Sequence, residues 1–207
     1  MSCQLATARR LFTIGHSDHE IEPFVDLLQR HGVTAVADVR SHPYSRYLPQ
    51  FNRETLAGAL QRGDIAYIFL GNELGARRTE PECYVDGQAR YDLIARTPAF
   101  AEGIRRVRRE LAEHRMTLMC AEKDPLTCHR MILVCRALRS EPIDIAHILV
   151  DGELESTEDA EARLLDVTGM PSRDLFRSRD ELVDEAYEKQ SERIAYTDKN
   201  VVEIDHE

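Results

Sequence analysis

The chain has no run of 18 apolar residues, so it has no candidate membrane-spanning helix. Its first ten residues, Met1 to Arg10, hold too few apolar side chains for a secretory signal, and a cytoplasmic protein is expected. None of the five cysteines is spaced as C-x-x-C. Without an export signal, an odd number of cysteines reads as reduced thiols rather than as a disulfide framework. The phosphate loop G-x-x-x-x-G-K-[ST] and the dinucleotide fingerprint G-x-G-x-x-G are both missing. Cys128 has no arginine six positions on, which excludes the tyrosine-phosphatase loop. Repeats and low-complexity tracts are also absent.

A basic excess is missing as well. The formal net charge is −10, which argues against nonspecific nucleic-acid binding, since that needs a positive footprint. The acidity is local: residues 1–150 carry 20 Lys+Arg against 19 Asp+Glu, and residues 151–207 carry 7 against 18. The division suggests a core domain over 1–150 and an acidic helical extension over 151–207 packed on it. Such an extension also fits docking to a basic protein surface.

What is present is an alternation of short β-type runs with longer helical ones. Strands are expected over Arg10–Ile14, Val33–Val39, Ile65–Leu70, Met116–Cys120 and Ile143–Val150. Helices are expected over Ile21–Arg30 with Gly32 at its end, over Arg53–Gln61 capped by Asn52, and over Thr127–Arg139. Pro98 opens another, with Phe100, Ile104, Val107 and Leu111 on one stripe. Its arginines 105, 106, 108 and 109 form a solvated face with i,i+4 partners. Two amphipathic helices follow, near Ser156–Val167 and Ser178–Arg193. Residues 71–90, rich in Gly, Pro and charge, read as a long loop that is mobile or contacts a ligand. This order implies an α/β fold: a largely parallel sheet of about five strands, helices on both faces, and C-terminal helices.

Polar residues gather just after the strands, where α/β sheets bind ligands. The first strand is followed by Gly15-His16-Ser17, the second by Asp38-Val39-Arg40-Ser41-His42-Pro43-Tyr44-Ser45, the third by Gly71-Asn72-Glu73. The fourth leads into Cys120-Ala121-Glu122 and on to Cys128-His129-Arg130. Four such strand ends in succession point to one shared pocket. Thr13-Ile14-Gly15-His16-Ser17, Asp38-Val39-Arg40, Glu73-Leu74-Gly75 and the Cys120–Arg130 segment together resemble the motif set of the DUF488 family, in order from about residue 11 to 150. Asn72 stands where glycine is common in that family. The resemblance implies an α/β domain with an enzymatic or ligand-binding pocket containing cysteine and histidine, and it supplies no reaction.

Cys128 is the candidate nucleophile, because a thiol at a helix start beside Arg130 and His129 tends toward thiolate. Either Asp124 or Thr127 caps that helix. Neighbours on a helix point about 100° apart, so His16 rather than His129 is the expected base. Asp38 orients a histidine or pairs with Arg130. Arg40, Arg130 and Arg46 suit an anion clamp, with Arg77 and Arg78 closing over it. Cys120 and His129 join the catalytic set; Ser17, Arg40, Ser45, Asn72, Glu122 and Arg130 form the substrate-binding set. Cys120, Cys128, His129 and His16 offer mixed metal donors, but their spacing matches no structural zinc pattern and no metal is expected. Cys3, Cys83 and Cys135 read as incidental. No cofactor and no oligomeric state follow from the sequence. The expected function is a cysteine-dependent hydrolase or transferase acting on a small anionic substrate, a nucleotide or a nucleic-acid end. The alternative is a non-catalytic nucleotide- or nucleic-acid-binding sensor module using the same arginines. No membrane partner is expected.

Overall fold

Strands form where apolar residues fall on both faces of a short segment. In β2 (Ala35–Asp38) and β6 (Met116–Cys120) every residue is buried, as expected of parallel strands covered on two sides. The same sheet holds β1 (Arg9–Gly15), β3 (Ala66–Phe69) and β7 (Ile143–Ile148). The sheet order is β3-β2-β6-β1-β7-β8, where β8 (Leu154–Ser156) pairs antiparallel with β7 and the other pairs are parallel. The structure, a computed structural model, describes residues 9–198. The antiparallel edge strand is one more than the sequence suggests, because three residues are too few to show a period of two.

Strand alternation divides the core. Phe12, Ile14, Val36 and Met119 meet Phe24, Leu27 and Leu28 of α1 (Ile21–Arg30) and Leu56 and Leu60 of α2 (Arg53–Arg62). Leu11, Ala37, Leu118 and Cys120 face the other side. There they meet Phe100, Ile104, Val107 and Leu111, the expected stripe of α5 (Pro98–Glu113). Burying each such side chain contributes about 1.5–3 kcal/mol. Thr97 caps α5 by accepting from the Phe100 amide. The second layer is completed by α7 (Thr157–Thr168) and α8 (Arg179–Ile194), capped by Ser156 and Ser178. Leu164, Leu165, Leu182 and Tyr187 sink into the same core cluster, so the acidic segment shares the core.

Four local expectations are corrected. Residues 71–90 are not structureless: they hold α3 (Gly71–Leu74), a 3-10 turn at Pro81–Cys83 and a hairpin of β4 (Tyr84–Val85) and β5 (Gln88–Ala89), before α4 (Tyr91–Ala95). Leu74, Cys83 and Ala89 are buried, each too isolated in sequence to show a periodicity. Cys83 is therefore a core residue. Asn52 precedes α2 without capping it, because its Oδ1 accepts from the Ser45 amide at 2.6 Å. The expected helix over 127–139 is a 3-10 turn at Pro125–Thr127, a π-helical segment at Arg130–Cys135 and the short α6 (Arg136–Leu138). The arginines of α5 also find other partners than expected. Arg105 pairs with Glu102 and Arg109 with Glu110, whereas Arg106 reaches Glu73 and Arg108 reaches Glu141.

Candidate functional site

The segment after β6 is built by short-range bonds. The Asp124 carboxylate accepts from the Leu126 amide at 2.9 Å and starts the Pro125–Thr127 turn, so Asp124 is the cap there. Cys128 then takes an extended backbone, φ −130° and ψ 138°, immediately before the helical segment. Its carbonyl accepts from the amides of Met131 and Ile132, and its Sγ receives the Arg130 amide at 3.5 Å. Because Cys128 precedes the helix, the 100° offset between neighbours does not apply. His129 therefore reaches the same side as Cys128, contrary to the sequence argument. π-helical turns are rare and frequent at functional sites.

Four polar groups converge here. Glu122 Oε2 accepts from the Cys120 and Cys128 thiols, each at 3.1 Å. His129 Nδ1 lies 3.6 Å from Cys120 Sγ and 4.0 Å from Cys128 Sγ. Its Nε2 is 3.0 Å from the Val39 carbonyl. A carbonyl only accepts, so the hydrogen sits on Nε2 and the Nδ1 lone pair faces the sulfurs. Burial opposes ionisation of Cys128, but the Cys120 hydrogen bond, the Arg130 charge and His129 together hold its pKa well below the usual thiol value. Cys120 moves the other way, through its hydrogen bond to Cys128 and then through burial. Glu122 is raised by burial and by Cys128.

Arg130 is fully buried beneath the loop. It donates to the Glu122 carbonyl at 2.5 Å, the Lys123 carbonyl at 3.2 Å and Thr13 Oγ1 at 3.4 Å. Thr13 Oγ1 also contacts His147 Nδ1 at 2.8 Å. The other expected partner of Arg130, Asp38, instead binds Arg40 with two oxygens, at 2.9 and 2.7 Å, and accepts from the Tyr67 hydroxyl at 2.8 Å. Arg40 Nη1 donates to His16 Nε2 at 3.1 Å, which leaves His16 Nδ1–H for the Ser17 carbonyl at 2.9 Å. Burial and Arg40 push the His16 pKa down to about 4. His16 is a neutral imidazole with both nitrogens engaged, and the imidazole beside the thiols is His129.

One cavity of about 390 Å³ opens over this arrangement, with His16, Arg40, Ser45, Cys120, Glu122 and His129 on its wall. Cys128, Asp38 and Arg130 lie behind that wall, within hydrogen-bonding reach of groups on it. Ser17, at φ 47°, turns its hydroxyl to Asp18, away from the cavity wall. Asn72 is exposed on α3, where its carbonyl accepts from Arg78, and it does not line the cavity. Arg77 is on the wall and lies over the Tyr196 ring at 4.7 Å. Sequence reasoning missed two aromatic side chains on the wall, Tyr91 and Tyr196, which join Tyr44 of the second strand end there. Tyr91 follows the hairpin and Tyr196 follows α8, and neither stands in a motif that marks it. Cys3 lies outside the described residues.

A family profile described as "Domain of unknown function DUF488" matches residues 20–137, more than half of the chain. The chain belongs to the DUF488 family. The DUF488 match takes in the Asp38–Arg40 and Cys120–Arg130 segments and stops short of Gly15-His16-Ser17 and β7. No curated protein and no solved structure matches the chain. Among the described residues, no helix is long and apolar enough to cross a membrane.

Proposed function

We propose that this DUF488 protein is a cysteine-dependent hydrolase or transferase that binds a small anionic substrate, a nucleotide or a nucleic-acid end, in the cavity above Cys120 and Cys128. The observation that carries the reading is the meeting of two thiols, a carboxylate and an imidazole within 4.0 Å contacts at the wall of a cavity that also holds Arg40 and Arg77. Reactive groups and anion-binding groups then share one concave site. The three tyrosines favour a substrate with a flat ring, since bases stack on aromatic faces.

A second reading has one observation in its favour. Cys128 is 1 % exposed and sits behind Cys120, where a substrate does not reach it directly. That suits a non-catalytic nucleotide-binding module in which the thiols only shape the wall. Calorimetric titration with nucleoside mono-, di- and triphosphates and short single strands, combined with product analysis, separates the two. The enzyme reading expects binding with a Kd below about 1 mM, and turnover that Cys120→Ser abolishes while binding persists. Arg77→Ala should weaken binding by about tenfold, the loss of one charged contact. Binding without turnover favours the module. Absence of binding by every phosphate compound refutes both.

A further inference from the structure

We infer that Cys120, Cys128 and His129 bind a thiophilic divalent cation of the zinc or ferrous type, with the fourth position of the ion open to the cavity. This rests on the reading of the cluster as the functional centre and gives that centre its chemistry.

The donor atoms of Cys120, Cys128 and His129 all lie within 4.8 Å of one another. Bonds of about 2.0–2.3 Å to a tetrahedral ion separate its donors by roughly 3.3–3.8 Å. The sulfur–nitrogen distances of 3.6 and 4.0 Å and the two sulfur–oxygen distances of 3.1 Å fall around those values. Glu122 lies outside that donor group, so the chain supplies three ligands and leaves the fourth position to the cavity.

The imidazole is oriented as a ligand. Its Nε2–H is fixed on the Val39 carbonyl, so the Nδ1 lone pair faces the sulfurs, and such outer hydrogen bonds characterise metal-binding histidines. Charge agrees as well. Two thiolates and a carboxylate packed together repel, and a divalent cation together with buried Arg130 brings the group to neutrality. Thiolate and imidazole donors select soft or borderline ions over magnesium and calcium. The scaffold is rigid: Cys120 ends β6, His129 precedes the π segment, and Arg130 ties down the Glu122 carbonyl between them. Cys120, Glu122 and His129 face the cavity, whereas Cys128 does not. The cation therefore presents its free side to whatever occupies the cavity and acts as a Lewis acid toward an anionic oxygen there.

The test uses the reduced, chelator-treated protein titrated with Co²⁺ and then with Zn²⁺. The expected result is one equivalent of Co²⁺ with sulfur-to-cobalt charge-transfer absorption, displaced by Zn²⁺. Cys120→Ser and Cys128→Ser should each remove most of that band, and His129→Gln should weaken binding at least tenfold. Cys135→Ser, which alters a buried cysteine outside the cluster, should leave the stoichiometry unchanged. A second measurement uses the native chain and so does not depend on how the cluster variants fold: Zn²⁺ should slow alkylation of Cys120 and Cys128 at least tenfold by peptide mass mapping. Failure to bind Co²⁺, or a band surviving both serine variants, overturns the inference. A chain that binds nucleotide and no Co²⁺ loses the metal site and keeps the anion-binding reading. A chain that binds Co²⁺ and no nucleotide does the reverse.

Discussion

Arg130→Met removes a buried guanidinium while keeping most of the side-chain volume, and its cost follows from what Arg130 holds. Three acceptors, the carbonyls of Glu122 and Lys123 and the Thr13 hydroxyl, lose their charged donor. A buried acceptor left unpaired costs about 1–3 kcal/mol, and the positive charge that helps lower the Cys128 pKa is lost too. Relief of the desolvated guanidinium offsets part of this. Breaking one member of a buried charged pair gives a net loss of about 3–5 kcal/mol. With a urea m-value near 3 kcal/mol per M, the midpoint should fall by about 1–2 M. In the same chelator-treated samples, alkylation of Cys128 at neutral pH should slow, because losing a positive neighbour raises the thiol pKa. Arg105→Met is the control: that side chain is 65 % exposed, paired only with Glu102 on its own helix, and its loss should leave the midpoint unchanged. An Arg130→Met midpoint within 0.3 M or so of the native protein's, on the same scale, would refute the account. It would mean that the guanidinium is solvated.

Two further perturbations probe the neighbours. Gly15 pairs with Cys120 across β1 and β6, and a Cβ there would overlap the Glu122 carbonyl. Gly15→Ala should therefore cost about 1–3 kcal/mol by overpacking; urea unfolding within 0.5 kcal/mol or so of the native protein would contradict that contact. His147 is fully buried, its Nε2 has no partner, and burial, then the Arg130 charge, push its pKa down to about 3. The unfolded chain then binds a proton below about pH 6.5 that the folded chain refuses down to about pH 3. Stability is therefore flat above pH 6.5 and falls as pH drops below it, by about 2 kcal/mol at pH 5 from this group. Unfolding free energies at pH 7 and 5 should show His147→Gln losing about that much less than the native chain; equal losses would place a charged or solvated imidazole at 147.

The sequence by itself determined the α/β order, because strand runs and helical stripes are local patterns. Ile21–Arg30 and Met116–Cys120 have the same bounds in sequence and in structure, and Gly32 ends α1 at φ +64°. The placement of motifs after successive strands also brought His16, Arg40 and Cys120 to one cavity, since parallel strands share a carboxyl edge. Tertiary structure alone decided the partners. Asp38 chose Arg40 over Arg130 because Asp38 ends β2 and Arg40 follows two residues later, whereas Arg130 runs under the loop to backbone carbonyls. His129 faces the thiols because the chain extends at Cys128 and turns helical only afterwards, a backbone change that residue spacing does not encode. Tyr91 and Tyr196 reach the wall from segments over a hundred residues apart. A local pattern fixes which face of an element is apolar; which charges and rings meet depends on how those elements pack, and that is a property of the whole chain.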